Sequence, residues 1–145
     1  MSQNEPRSYE VDILAPPERV WQALTDPDLT QQYYFGTRVE SDWSQGSQVR
    51  YRNAQGGVDL EGEVLEFDPP HRLATTFKPT WAPDVAGTPP SAVEWTIDPT
   101  RGGSRLTLTH RGFDWSAPGA DMVHGGWEQA PLGIKQGGEG QGGGR

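Results

Sequence analysis

From Arg38 to Arg111 apolar side chains recur at every second position, in short runs separated by glycine and proline turns. Val39, Ser41 and Trp43 share one parity against Arg38, Glu40 and Asp42. Val49 and Tyr51 oppose Arg50 and Arg52, and Leu60, Gly62 and Val64 oppose Asp59, Glu61 and Glu63. Leu73, Thr75 and Phe77, then Val93, Trp95 and Ile97, then Leu106, Leu108 and His110 continue the pattern. A period of two sends alternate side chains to opposite faces of an extended chain, so each run reads as a strand with one face on a core. Ser44-Gln45-Gly46, Ala54-Gln55-Gly56-Gly57, Asp68-Pro69-Pro70-His71 and Pro99-Thr100-Arg101-Gly102-Gly103 supply the turns. Strands joined this way predict an antiparallel meander with one face covered. Near Leu65 the alternation slips by one residue, the signature of a β-bulge.

The flanks differ. Ser8 to Leu14 reads as a further strand, with Tyr9, Val11 and Ile13 on one face. Pro17 to Thr25 carries Val20, Trp21 and Leu24 on one helical stripe, and the proline suits a helix start. Asp26-Pro27-Asp28 breaks that helix, and a second helical turn is expected over Leu29 to Gln32. The sheet's apolar face needs a further cover, expected as a helix from about Ala120 and packed through Met122, Val123 and Trp127. Gly125 and Gly126 weaken that helix, and Pro131 is expected to shorten or break it. Residues 137–145 are glycine-rich, with six glycines in nine residues, and are expected to be a disordered tail. Lys78 to Pro90, with four prolines around Trp81, reads as a long loop.

Charge and composition exclude several functions. The chain of 145 residues carries 20 acidic and 12 basic residues, a formal charge of −8. Phosphate neutralisation needs clustered lysine and arginine, so neither a nucleic acid nor an anionic membrane surface is an expected partner. There is no cysteine, hence no thiolate nucleophile and no cysteine metal site. His71, His110 and His124 share no ligand spacing, so no metal and no cofactor is expected. With no apolar leader and no run of membrane-span length, the expected location is the cytoplasm.

The order of elements resembles the helix-grip fold of the START-like (SRPBCC) superfamily, and most nearly its branch similar to the activator of heat-shock protein 90 ATPase, C-terminal domain type. The matching segments are Ala15-Pro16-Pro17-Glu18-Arg19-Val20-Trp21 through Pro27, then Gly62-Glu63-Val64-Leu65-Glu66-Phe67-Asp68-Pro69-Pro70-His71-Arg72-Leu73. Val93-Glu94-Trp95, Leu106-Thr107-Leu108-Thr109-His110-Arg111-Gly112-Phe113 and Gly125-Gly126-Trp127 follow in order. The resemblance covers residues 8–136 and implies one α+β domain. Its parts would be a curved antiparallel sheet of six to seven strands, two short N-terminal helices and a C-terminal helix closing a cavity. The superfamily uses that cavity for lipids, sterols and polyketides.

On that reading the pocket is lined by Trp43, Tyr51, Phe77, Trp95, His110 and Trp127, and its occupant is a small apolar or amphipathic molecule. His110, sharing the inward parity of Leu106 and Leu108, is the residue best placed to donate a hydrogen bond or switch charge, with Thr75 as its expected partner. No catalytic set can be assigned. Two alternatives stand beside ligand binding: a cofactor of a chaperone ATPase, by fold analogy, and an enzyme of the cyclase or hydratase kind using His110 and Tyr51.

Overall fold

A computed structural model describes residues 6–34, 36–79, 91–113, 129–131 and 133–135. The elements run β1 (Arg7–Ile13), α1 (Pro17–Thr25), α2 (Pro27–Tyr33), β2 (Arg38–Ser41), β3 (Gln48–Arg52), β4 (Val58–Asp68), β5 (Arg72–Pro79), β6 (Ser91–Pro99) and β7 (Ser104–Arg111). All seven strands form one antiparallel sheet in the order β1-β7-β6-β5-β4-β3-β2. The meander therefore folds back so that the first strand closes against the last, with Val11 opposite Leu106 and Tyr9 opposite Leu108. This is the expected α+β helix-grip sheet, at the upper end of the expected strand number.

The parity read from the sequence is the parity of burial. In β6, Ser91, Val93, Trp95 and Ile97 are buried, whereas Ala92, Glu94 and Thr96 are only partly so. In β7, Ser104, Leu106, Leu108 and His110 are buried in the same alternation. The outer face carries exposed charge, such as Arg72 between Glu66 and Glu94, pairs that contribute little stability individually. The slip at Leu65 is a bulge: Val64 pairs with Thr75 and Glu66 with Ala74, leaving Leu65 exposed and unregistered. A second irregularity, between Tyr51 and Arg52, has no counterpart in the hydrophobic pattern.

The two short helices are built on proline starts. Pro17 opens α1, which buries Val20, Trp21, Ala23 and Leu24. The Asp-Pro-Asp segment both ends one helix and begins the next. The Asp26 N–H bonds to the Gln22 carbonyl, while its carboxylate accepts from the Asp28 N–H at 2.9 Å and so caps α2. Pro27 is thus a first helical residue, and α2 starts two residues earlier than the expected turn.

Residues 129–131 and 133–135 are helical, and Pro131 is buried at the end of the first of these two described stretches. Ala130 and Ile134 are 1% and 2% exposed and belong to the core. Gly133 has a packing reason: a Cβ there would lie 2.5 Å from Tyr33 Cβ, so only glycine lets this segment seat on α2. Lys135 Nζ donates to the Asp12 carbonyl at 2.9 Å and ties the same segment to β1. Replacing Gly133 with leucine is expected to cost about 1–2 kcal/mol by overpacking. The check is a chemical denaturation series in which Gly133→Leu shifts the midpoint and Gly102→Leu, where a Cβ would meet only Leu14 Cδ2 at 3.8 Å, serves as reference for glycine loss. The expected helix start near Ala120, Trp81, Met122, Val123, Trp127 and the 137–145 tail lie outside the described residues.

Candidate functional site

The concave face has two chemically different ends. At the end nearest α1, Trp21 meets Phe67 edge-on at 5.5 Å, and Phe67 stacks on Trp43 at 6.1 Å and 19°. At the other end lies a cluster around His110. Its imidazole is fully buried, edge-on to Phe77 at 4.7 Å and tilted over Phe113 at 4.9 Å, with Phe77 and Phe113 also in edge contact. His110 Nε2 and Ser91 Oγ are 2.6 Å apart, a short buried hydrogen bond. Burial pushes the imidazole pKa down to about 3, so His110 is neutral across the physiological range.

Thr75, the partner expected from the sequence, is buried on the same row but does not reach the histidine. Val93 lies between them in register, opposite Thr75 on one side and His110 on the other. Two ladder spacings, about 10 Å, therefore separate the two backbones. Ser91 takes the role because it is two residues before Val93 and shares its face, at the point where the chain re-enters the sheet. Its position beside the proline-rich loop concealed it.

Three tyrosines occupy the β2–β3 side. Tyr33 donates its hydroxyl to the Ala23 carbonyl at 2.6 Å, and Tyr34 packs on Tyr51 with ring centroids 4.5 Å apart. Burial raises all three phenols above their ordinary pKa, with mutual repulsion adding to the shift of Tyr33 and Tyr34. Tyr51 is therefore a protonated donor, and among the described residues no group hydrogen-bonds its hydroxyl.

Of the residues singled out by parity, Tyr51, Phe77, Trp95 and His110 are all inward and buried, at 8%, 2%, 4% and 0% exposure. Trp43 reaches the concave face only at its α1 end, half-buried against Phe67. Its strand ends at Ser41, and Trp43 itself has a left-handed backbone with φ of 56°, so strand parity no longer governs it. It also lines an open cleft of about 650 Å³ between the α1–α2 junction and β2–β3. Trp127 lies outside the described residues. Tyr34, Ser91 and Phe113 were not marked as site residues in the sequence; the Phe113 signal was its place directly after the last alternating run. Among the described residues no group of histidine and carboxylate side chains could hold a metal ion, and no helix is long and apolar enough to cross a membrane.

Comparison with known proteins supports the architecture. The chain is similar to the crystal structure of protein MLL2253 from Mesorhizobium loti, with 28% identity and a TM-score of 0.72 over 91% of this chain and 95% of that one. It is also similar to the solution structure of the Aha1 dimer from Colwellia psychrerythraea, at 16% identity and a TM-score of 0.73 over 93% and 96% of the two chains. CalU16 from Micromonospora echinospora, in solution, matches at 24% identity and a TM-score of 0.73 over 94% of this chain and 67% of that one. The last two bear on the fold alone. No curated protein matches the chain. The family model described as Activator of Hsp90 ATPase homolog 1-like protein matches residues 14–136, and so this chain belongs to that family and carries its START-like helix-grip fold.

Proposed function

We propose that the protein binds a small amphipathic molecule against the concave face, with an apolar body on Phe77, Trp95 and Phe113 and one hydrogen-bond acceptor directed at Tyr51. The observation that carries this reading is the Tyr51 hydroxyl, a donor kept protonated by burial and unpaired among the described residues. No buried polar side-chain atom among the described residues lacks a partner, so this hydroxyl is open to solvent, where a ligand acceptor can take the place of water. The surrounding surface is aromatic, and apolar walls with a few placed polar groups are the usual composition of small-molecule sites. His110 and Ser91 bond each other and supply a fixed polar boundary rather than an acid–base pair, since an imidazole whose pKa burial lowers to about 3 is a weak base at neutral pH. That favours binding over the cyclase or hydratase reading.

The test uses neutral ketones, progesterone and decanone, whose carbonyl accepts one hydrogen bond. Titration is followed by intrinsic tryptophan fluorescence and native mass spectrometry. Tyr51→Phe is expected to weaken ketone binding about tenfold, the value of one neutral hydrogen bond, while thermal stability stays within about 0.5 kcal/mol of the parent. Equal affinity of parent and variant, or no complex with either ketone, would reject the reading.

A further inference from the structure

The cleft beside Trp43 is a second concavity, at the end of the molecule away from the His110 cluster, and the site proposed above does not use it. Its walls are Thr25 and Pro27 from the helix junction and Val39 to Trp43, Ser47, Gln48 and Arg50 from the β2–β3 hairpin. A volume of about 650 Å³ is ample for a small molecule.

The hairpin loop is held in one conformation by its serines. The Trp43 N–H donates to Ser41 Oγ at 3.0 Å, and Ser47 Oγ donates to the Ser44 carbonyl at 2.7 Å while accepting from the Ser44 N–H at 3.2 Å. These bonds sustain the left-handed backbone of Trp43, which a bulky side chain rarely adopts. The consequence is a half-buried indole that stacks on Phe67 and also lines the cleft.

The polar lining is balanced in charge. Glu40 is neutralised by Arg52, outside the lining, at 2.8 Å, and the lining's other two charges, Asp42 and Arg50, are of opposite sign, with the Arg50 guanidinium bonded to the Gln48 side-chain carbonyl. Two carboxylates against two guanidiniums give no net charge with which to select an ion. A wholly apolar ligand would strip water from Asp42, Gln48 and Arg50 without replacing it. The lining therefore fits a neutral ligand that donates and accepts at several points and carries an apolar C–H face for the indole. We propose that this cleft binds a saccharide or a closely related uncharged polyol, with the sugar ring on Trp43 and its hydroxyls shared among Asp42, Gln48 and Arg50.

The experiment is an NMR titration of the full chain with maltose, cellobiose, N-acetylglucosamine and myo-inositol, observing the Trp43 indole N–H and the Gln48 side-chain amide. At least one of the four is expected to shift both signals to saturation, with the Tyr51 and Phe77 ring signals unmoved. Trp43→Ala should weaken that binding about tenfold or more. Gln48→Ala, an exposed change that spares the Phe67 stack, should weaken it several-fold if its amide is a ligand group. Titrations with choline and decanone complete the panel. No shift with any sugar or polyol at tens of millimolar, or shifts of these signals by choline or decanone alone, would overturn the proposal. So would a Gln48→Ala variant of unchanged affinity.

Discussion

Lowering the pH from 7 to 4 is expected to remove about 3 kcal/mol of stability through His110 alone. In the folded protein burial holds the imidazole pKa at about 3, whereas the unfolded chain protonates near the ordinary value of 6.5. Below 6.5 the unfolded state therefore takes up a proton that the folded state refuses, and each pH unit costs about 1.4 kcal/mol. The contribution is fully present above pH 6.5, is lost progressively as the pH falls towards 3, and levels off below that. The only cause of the shift is burial, so salt should not alter it appreciably. Exposed carboxylates add their own acid dependence. The informative quantity is thus the difference between the parent and a Ser91→Ala, His110→Leu double variant, which removes both partners of the buried hydrogen bond. Urea unfolding at several pH values should show the variant gaining on the parent steadily as the pH drops. Parallel curves would mean that the imidazole titrates normally in the folded state.

Gly62→Ala is expected to be the most damaging single-atom-scale change in the sheet, costing about 3 kcal/mol. A Cβ at this position would stand 2.0 Å from the Thr76 carbonyl oxygen and 2.9 Å from its carbon. These are backbone atoms of the adjoining strand, so no rotamer change relieves the contact. The β4–β5 ladder would have to open there. The Glu63 N–H, which donates to Thr76 Oγ1 at 2.9 Å, would lose its partner in the same movement. Overpacking of this kind typically costs 1–3 kcal/mol, and a rigid backbone neighbour places it at the upper end. Thermal and urea unfolding of the variant measure it directly. Retention of the parent's stability would show that the ladder is looser than the structure describes. The strand pattern alone assigned Gly62 an inward-parity position and gave no reason for glycine.

The sheet was legible because burial and parity coincide over long runs such as Val93 to Ile97 and Leu106 to His110, where one slipped residue would expose every apolar group. The bulge at Leu65 was legible for the same reason, as a local failure of alternation. Parity does not place Trp43, because it applies only while the strand continues; the strand ends at Ser41 and Trp43 has a left-handed backbone that periodicity does not encode. Ser91 went unnoticed because a serine beside a proline-rich loop carries no signal until the register places it next to His110. The Asp26-Pro27 junction was ambiguous in principle: a proline that ends one helix is equally suited to begin the next, and the Asp26 carboxylate decides it by capping α2. Gly133 carries no signal in the hydrophobic pattern, and only the close approach to Tyr33 Cβ shows why glycine stands there.

Family membership supplies the architecture and leaves the ligand to be read from the concave face. The central claim is that an acceptor-bearing hydrophobe lies on that face with its polar atom at Tyr51. Intermolecular nuclear Overhauser effects between bound progesterone and isotope-labelled protein test it most directly. Contacts are expected from the ligand to the Tyr51 and Phe77 ring protons and to Phe113, with none to Trp43. Contacts confined to Trp43 and the β2–β3 cleft, or none at all under saturating ligand, would contradict it.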